Sequence, residues 1–309
     1  MAINLSALTA YVDENKLPLI RKTILDGETV KHLQLMTGVK NEAALNLLDT
    51  SISLGNGKAC GFSAAGDDTF TQRTIKPAAI KVNKEYCHRS MLDYWMNNQV
   101  RVAAGDTGLP FEQEFCENVV KKVNVEIEKL IWQGVTVNSV FYPGFIDILN
   151  ADTDDQTEGV QPAGTLVEAG STIYETVMNV YNGIDADVLE ETAIFMGRDQ
   201  FRALVQELIA KNLYNYAKDL QDSPAFELVL PGTNMHVYGV KGLDGKYGSM
   251  HWVVALNLEH AFYGTDMRGD EEQFDFWYSK DNDTYRLALA FNAGVQVAFP
   301  KENVYTYFA

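Results

Sequence analysis

The chain has 309 residues, 46% hydrophobic and 22% charged, and a formal net charge of −17. That composition is globular, with length for one large core or two modest ones. The acid excess argues against a surface that binds nucleic acid or an anionic membrane, since either needs clustered Lys and Arg and no dense basic run is present. Cys60, Cys87 and Cys116 are odd in number and widely spaced, so a reduced cytosolic chain is expected rather than a disulfide framework. The opening residues, MAINLSALTAYVDENK, lack the basic start and apolar block of a secretory leader, and no apolar run is long enough to span a bilayer.

In chain order, residues 1–55 read as an N-terminal arm of short amphipathic pieces with no core of its own. Leu5, Leu8 and Val12 suggest a first helix. Asn41 to Leu54 suggests a second, with Asn41 as its cap and Ala44, Leu45, Leu48 and Ile52 on one side. Residues 56–83 are rich in Gly, Ala, Thr and Asp and carry few large apolar groups. Thr69–Thr74 and Ala79–Asn83 alternate weakly, as exposed strands do, with Asp67 and Asp68 at or near a turn. Two such strands have too little apolar surface to stand alone. An extended β-loop that docks on another subunit is the economical reading. Residues 84–100 then predict a short helix with Met91, Leu92, Trp95 and Met96 inward.

Residues 110–134 form the strongest pattern in the chain. Phe111, Phe115, Val119, Val123, Ile127 and Ile131 recur every four residues, and Cys116, Val120 and Leu130 widen the stripe. Pro110 suits the first turn, Glu112 and Glu114 suit the positive end of the helix dipole, and Gly134 can take the left-handed conformation that stops a helix. A rod of roughly 36 Å with one apolar face needs other elements laid along it.

Beyond it, Tyr142-Pro143-Gly144 makes a turn and residues 151–164 an acidic loop. A helix is expected from Ser171, a buried strand at Ala193–Met196, a helix from Gly197, and strands around Leu228, Val237 and Val253. This order predicts an α+β unit rather than repeated βαβ units. The end is a long hairpin, with Phe274, Phe276 and Tyr278 alternating against Tyr285, Leu287, Leu289 and Phe291, and Gly294 as a candidate bulge.

The search for chemistry is negative. Gly55, Gly57 and Gly61 miss the dinucleotide spacing, and Lys58 lacks the P-loop context. The five histidines form no pair at metal-binding helical spacing, and Cys87 and His88 are adjacent and diverge. Asp152, Asp154, Asp155 and Glu158 lack the calcium-loop pattern and read as a solvated acidic loop. Ser63 has one residue too many for a nucleophile turn. No catalytic residue, cofactor site or metal site is assigned.

The order of parts is arm, extended β-loop, short helix, long helix, α+β unit, long returning strands. It resembles the major capsid protein of tailed bacteriophages with the Hong Kong 97-type fold. TQRTIKPAAIKVNKEYCHRSMLDYW (71–95), IFMGRDQFRALVQEL (194–208) and the stretch from NLEHAFYGTD to LALAFNAGVQVAFP (257–300) look like segments of capsid proteins from phages of Bacteroidetes, including crAss-like relatives.

The resemblance implies an α+β fold with an arm at 1–55 and an extended β-loop at 56–83. It implies a peripheral domain of 84–150 and 274–309, with spine helix 110–134, and an axial domain at 151–273. It implies a virion protein, made in the host cytoplasm, that assembles with itself into hexamers and pentamers enclosing DNA without reading its sequence. Its partners would be a separate scaffold protein, the portal, and decoration or head-fibre proteins. There would be no membrane, no cofactor and no enzyme activity. Phe62, Phe70, Arg73, Ile75 and Trp95 are the candidate contacts between subunits; Trp95, Phe111, Trp132 and Phe201 could equally be core. An encapsulin-type shell and a soluble α+β enzyme or binding protein are the alternative readings.

Overall fold

The computed structural model describes residues 27–54, 66–87, 111–134, 142–150, 164–211, 226–245, 250–266, 273–282 and 284–309, with 11, 12, 14, 15, 19, 22 and 25 from the N-terminal segment. Among these residues the strands form three sheets.

The first sheet is built on the longest strand, β12 (Thr284–Val297). Its N-terminal half pairs on one edge with β11 (Gln273–Ser279) and on the other with β4 (Ala78–Cys87), both antiparallel. Its C-terminal half pairs with β10 (Ala261–Thr265), which in turn takes the short β1 (Gln34–Thr37) in parallel. The period of two in the sequence has a direct cause here. Tyr285, Leu287, Leu289 and Phe291 are buried while the residues between them are half-buried, as on a sheet covered on one face.

The cover is α1 (Phe111–Gln133), about 34 Å long at helical rise. Cys116, Val120, Val123, Ile127, Leu130 and Ile131 of its stripe are buried in one core with β12. Phe115 sets its ring edge against Tyr86 of β4 at 5.2 Å and against Phe276 of β11 at 5.9 Å. Gly134 stops the helix as expected, with φ of +62°. An added Cβ there would lie 2.6 Å from the Gly144 nitrogen, so the close return into α2 (Phe145–Asn150) also requires glycine.

The second sheet has six strands in the order β5-β13-β9-β6-β8-β7. These are β5 (Thr165–Leu166), β6 (Thr192–Gly197), β7 (Glu227–Val229), β8 (His236–Val240), β9 (His251–Asn257) and β13 (Val304–Phe308). Helices α3 (Ile173–Gly183) and α4 (Arg198–Ala210) cover it, burying Val177, Val180, Leu204 and Leu208 in a second core. Every residue of β6 is buried, in keeping with its unbroken apolar sequence. The last strand, β13, belongs to this sheet and β10 to the first. A domain division at residue 273 is therefore not the one the sheets draw: the chain crosses between them more than once.

The third sheet is the hairpin of β2 (Ala43–Ile52) and β3 (Gly66–Ile75), a ten-pair antiparallel ladder from Ala43↔Ile75 to Ile52↔Gly66. This corrects three expectations. Residues 43–52 are a strand and not a helix: Leu45 and Leu47 alternate with Asn46 and Leu48, and Thr50 and Ile52 are β-branched. The stretches 69–74 and 79–83 are strands but do not pair with each other. The first pairs with β2, and the second is part of β4 and pairs with β12. Finally, Lys84–Cys87 continue β4 instead of opening a helix, because β12 supplies ladder partners as far as Thr284.

Residues 27–33 tie the parts together. Thr29 donates its backbone N–H to Glu128 Oε1 of α1 at 2.9 Å and its hydroxyl to Oε2 at 2.6 Å, and it accepts from Trp132 Nε1 at 2.8 Å. Glu28 reaches the other way, to Arg198 Nη2 at 2.6 Å and Lys241 Nζ at 2.9 Å. Burial pushes the Glu128 carboxyl above the ordinary carboxylate range, and the Thr29 hydrogen bonds only partly oppose this.

Three outcomes follow from this packing. Val123→Asp puts an unpaired charge between α1 and the first sheet and prevents folding, read as loss of soluble protein. Glu128→Ala leaves two donors of Thr29 without an acceptor and destabilises by about 2 kcal/mol in a denaturant titration. The raised carboxyl of Glu128 also makes its contribution complete below the unfolded carboxylate range and lost as pH rises through the folded value. Wild type should therefore lose melting temperature with rising pH relative to Glu128→Gln, and parallel pH profiles would refute the assignment.

Candidate functional site

The candidate site is the β2–β3 hairpin, because it is the one described element whose two faces differ so sharply in what covers them. Register sorts its residues into two sets. On one face lie Ala43, Leu45 and Leu47 with their partners Ile75, Arg73 and Thr71. On the other lie Asn46, Leu48, Thr50 and Ile52 with Gln72, Phe70, Asp68 and Gly66.

The first face is the root. Leu45 and Leu47 pack with Ala298, and Met36, Phe262 and Phe299 close round them. Ile75 is wholly buried and Arg73 is 2% exposed. The root is seated by two glycines that face each other across β10 and β12, Gly264 and Gly294. A Cβ on Gly264 would lie 2.7 Å from Ile75 Cδ1, and one on Gly294 would lie 2.9 Å from Pro77 Cα. Gly294 is thus not a bulge, since the β10–β12 ladder runs through it unbroken. It is glycine because the incoming chain passes directly over it. Gln296 Nε2 donates to the Thr74 carbonyl at 2.8 Å and completes the seat.

The second face is bare. Phe70 is 78% exposed, its cross-strand partner Leu48 is 54% exposed, and Ile52 is 80% exposed. Leu54 beyond them is exposed too. A cross-strand aromatic–aliphatic pair stabilises a sheet through the area it hides, and here solvent covers that area instead. Apolar groups gathered in this way on a projecting element mark an interaction surface.

Of the five contact candidates from sequence, Phe70 is on the bare face. Arg73 and Ile75 are buried within the chain at the root, so they position the hairpin rather than present it. Phe62 and Trp95 lie outside the described residues. Leu48 and Ile52 were missed, because a helical reading of 41–54 placed them in the arm. The alternation of Leu45, Leu47 and Asp49 against Leu48, Thr50 and Ile52 carried the signal. Trp132 and Phe201 are intrachain core.

No group of three or more His, Cys, Asp or Glu residues could hold a metal among the described residues, and no described helix is long and apolar enough to cross a membrane. The acidic stretch 152–158 lies outside the described residues. His260 sits 2.6 Å from Glu302 Oε2, and that hydrogen bond raises its pKa; the pair ties the β9–β10 turn to the chain before β13.

No protein-family model matches the sequence, and no curated protein matches it in sequence. Solved structures do match in shape. The capsid of a native GTA particle aligns at a TM-score of 0.62 and 10% identity, over 93% of this chain and 90% of that one. A chain of the satellite phage P4 procapsid, solved with its size determination protein, aligns at 0.59 and 11% identity, over 94% and 90%. The capsid of Myoviridae phage XM1 aligns at 0.54 and 10% identity, over 93% and 92%. Coverage of about nine-tenths of each chain in both directions shows that this chain has the fold of these capsid subunits, the Hong Kong 97-type fold.

Proposed function

We propose that this chain is the major capsid protein of a tailed bacteriophage, assembling with itself into the icosahedral head that encloses the double-stranded DNA genome. The observation that supports this most strongly is the hairpin, on a chain with the capsid fold. Its root is fixed rigidly by Gly264, Gly294 and Gln296, while its outer face carries Leu48, Ile52 and Phe70 in solvent. A subunit that folds alone yet leaves such a face uncovered is completed by another subunit.

Charge is consistent with that role. A wall of net charge −17 repels packaged DNA mildly instead of holding it. The role is structural and needs no catalytic centre. Before assembly the subunit is in the host cytoplasm. A separate scaffold protein and the portal are its expected partners in building the head, with decoration or head-fibre proteins added outside.

The decisive measurement is negative-stain microscopy of the chain produced with and without its scaffold protein. Closed shells of uniform size are expected. A sample that stays a small oligomer under both conditions overturns the capsid reading and favours a soluble enzyme or binding protein, and shells that enclose an enzyme in place of DNA favour a nanocompartment. Phe70→Asp should leave the melting temperature of the isolated subunit nearly unchanged, because an exposed substitution typically shifts stability by no more than about 0.5 kcal/mol. The same variant should reduce the yield of closed shells, and shells at wild-type yield would remove the hairpin face from the assembly interface.

A further inference from the structure

The two large sheets are joined by a neck. Strands β9 and β13 are antiparallel neighbours in the second sheet as far as the pair Ala255↔Val304. Strands β10 and β12 are antiparallel neighbours in the first, starting from the pair Ala261↔Val297. One two-stranded ribbon thus runs from sheet to sheet. Strand β9 passes into β10 through residues 258–260, and β12 passes into β13 through residues 298–303.

Between those two pairs the ladder gives way to side chains. Asn303 Oδ1 accepts the Asn257 N–H at 2.7 Å, and Asn303 Nδ2 donates to the Phe299 carbonyl at 2.8 Å. Asn257 Oδ1 accepts the Glu259 N–H at 3.0 Å, which turns the Asn257 amide nitrogen toward Glu302 Oε2 at 2.9 Å. The same carboxylate oxygen takes the His260 Nδ1–H at 2.6 Å. The two asparagines are wholly or nearly buried, whereas His260 and Glu302 are half-buried and open to exchange of a proton with water.

We propose that Asn257, His260, Glu302 and Asn303 form a proton-controlled latch on this neck: the protonated imidazole holds the two crossovers together, and loss of its proton frees the neck to bend. The inference concerns the single chain and does not depend on the capsid reading.

Of these four side chains only His260 changes charge near neutral pH. The charged groups that face it are acidic. Glu302 is bonded to it, Glu191 reaches it from the turn before β6, and Glu259 stands beside it in its own turn. Lys301, the cation of the 300–302 turn, is exposed. The Glu302 hydrogen bond is the largest influence on the His260 pKa and raises it; burial opposes this, and the charges of the three carboxylates add to it. A raised folded value makes the contribution of His260 complete below the ordinary histidine value of about 6.5, and lost as pH rises through the folded value. Segment 27–33 is a second tie between the parts. Its Glu128 carboxyl is also raised, so that tie weakens in the same direction of pH and does not compensate for the neck.

The latch also touches the hairpin. The Phe299 ring meets His260 edge-on at 4.8 Å and closes round Leu45 and Leu47 at the root. Ala298 donates its N–H to the His260 carbonyl at 2.8 Å and packs against the same two leucines. A change at the neck is therefore felt at the seat of the hairpin.

The test reads hydrogen exchange at the neck of the full chain. The reporters are the amides of Ala298 and Asn257, each read relative to amides in the β12 ladder. A charge-assisted hydrogen bond is roughly twice as strong as a neutral one, so the relative protection in wild type should fall about fivefold between about pH 6 and about pH 9. His260→Gln keeps a donor for Glu302 and has no proton to lose, so its protection should stay level. Glu302→Gln should return the His260 pKa, followed by its ring-proton resonances, toward the ordinary value and move the midpoint of the neck transition with it. A purely structural role for Glu302 would not move that midpoint. The distance between encoded spin labels in place of the exposed Lys84 on the first sheet and the exposed Gln206 on α4 over the second should broaden with the same midpoint. Level protection in wild type overturns the inference. So does a fall of equal size in wild type and in His260→Gln, which assigns the response to another group such as Glu128. Opening of the neck amides with an unchanged distance distribution overturns the bending. If His260→Gln does not fold, Glu302→Gln decides alone, and an unmoved midpoint overturns the latch.

Discussion

Strand β12 supplies backbone partners to β4, β10 and β11, and its buried side chains form one core with α1. A buried backbone N–H or C=O must be paired, so a fourteen-residue strand inside a sheet obliges the chain to return to it repeatedly. Here three strands pair with it, β4 from some 200 residues away and β10 and β11 from the stretch just before it. The spine helix, with α2, then packs on the resulting face and buries the apolar side chains of β12 in one core. Removing the stripe on α1 would expose that whole face. The long helix and the long strand are therefore a single structural commitment, made before any contact with another subunit.

The hairpin is a consequence of that commitment. The first ladder residue of β4, Ala78, is held opposite Ala293, so the preceding residues must leave along β12 and over its end. Gly264 and Gly294 let the chain pass at a distance no other residue would allow, with Ile75 over Gly264 and the Lys76–Pro77 backbone over Gly294. Rigidity at the root and exposure beyond it are two results of one geometry. The chain thereby presents Leu48 and Phe70 at a fixed position, which lowers the entropy lost when a neighbour covers them.

The segment 27–33 has a different task. It joins α1 to the second sheet through a buried carboxyl group on one side and a half-buried triad of Glu28, Arg198 and Lys241 on the other. A buried, hydrogen-bonded Glu128 specifies one arrangement of the spine helix against that sheet, because any shift leaves Thr29 or the carboxylate unpaired. The two sheets draw their strands from interleaved parts of the sequence, and this polar tie helps fix how they meet.

The sequence by itself determined the elements whose pattern is local. The stripe from Phe115 to Ile131, the stop at Gly134, the alternation in β12 and the apolar run of β6 each follow from spacing over a few turns or pairs, and each is where it was expected. The order of those elements was also enough to indicate the capsid type. Tertiary structure decided what depends on a distant partner. Residues 43–52 could satisfy a helical or a strand period, and β3 settled the matter by offering ten ladder partners. Arg73 and Ile75 could have faced a neighbour, but both are buried within the chain, Ile75 against Gly264 of β10, some 190 residues away along the chain.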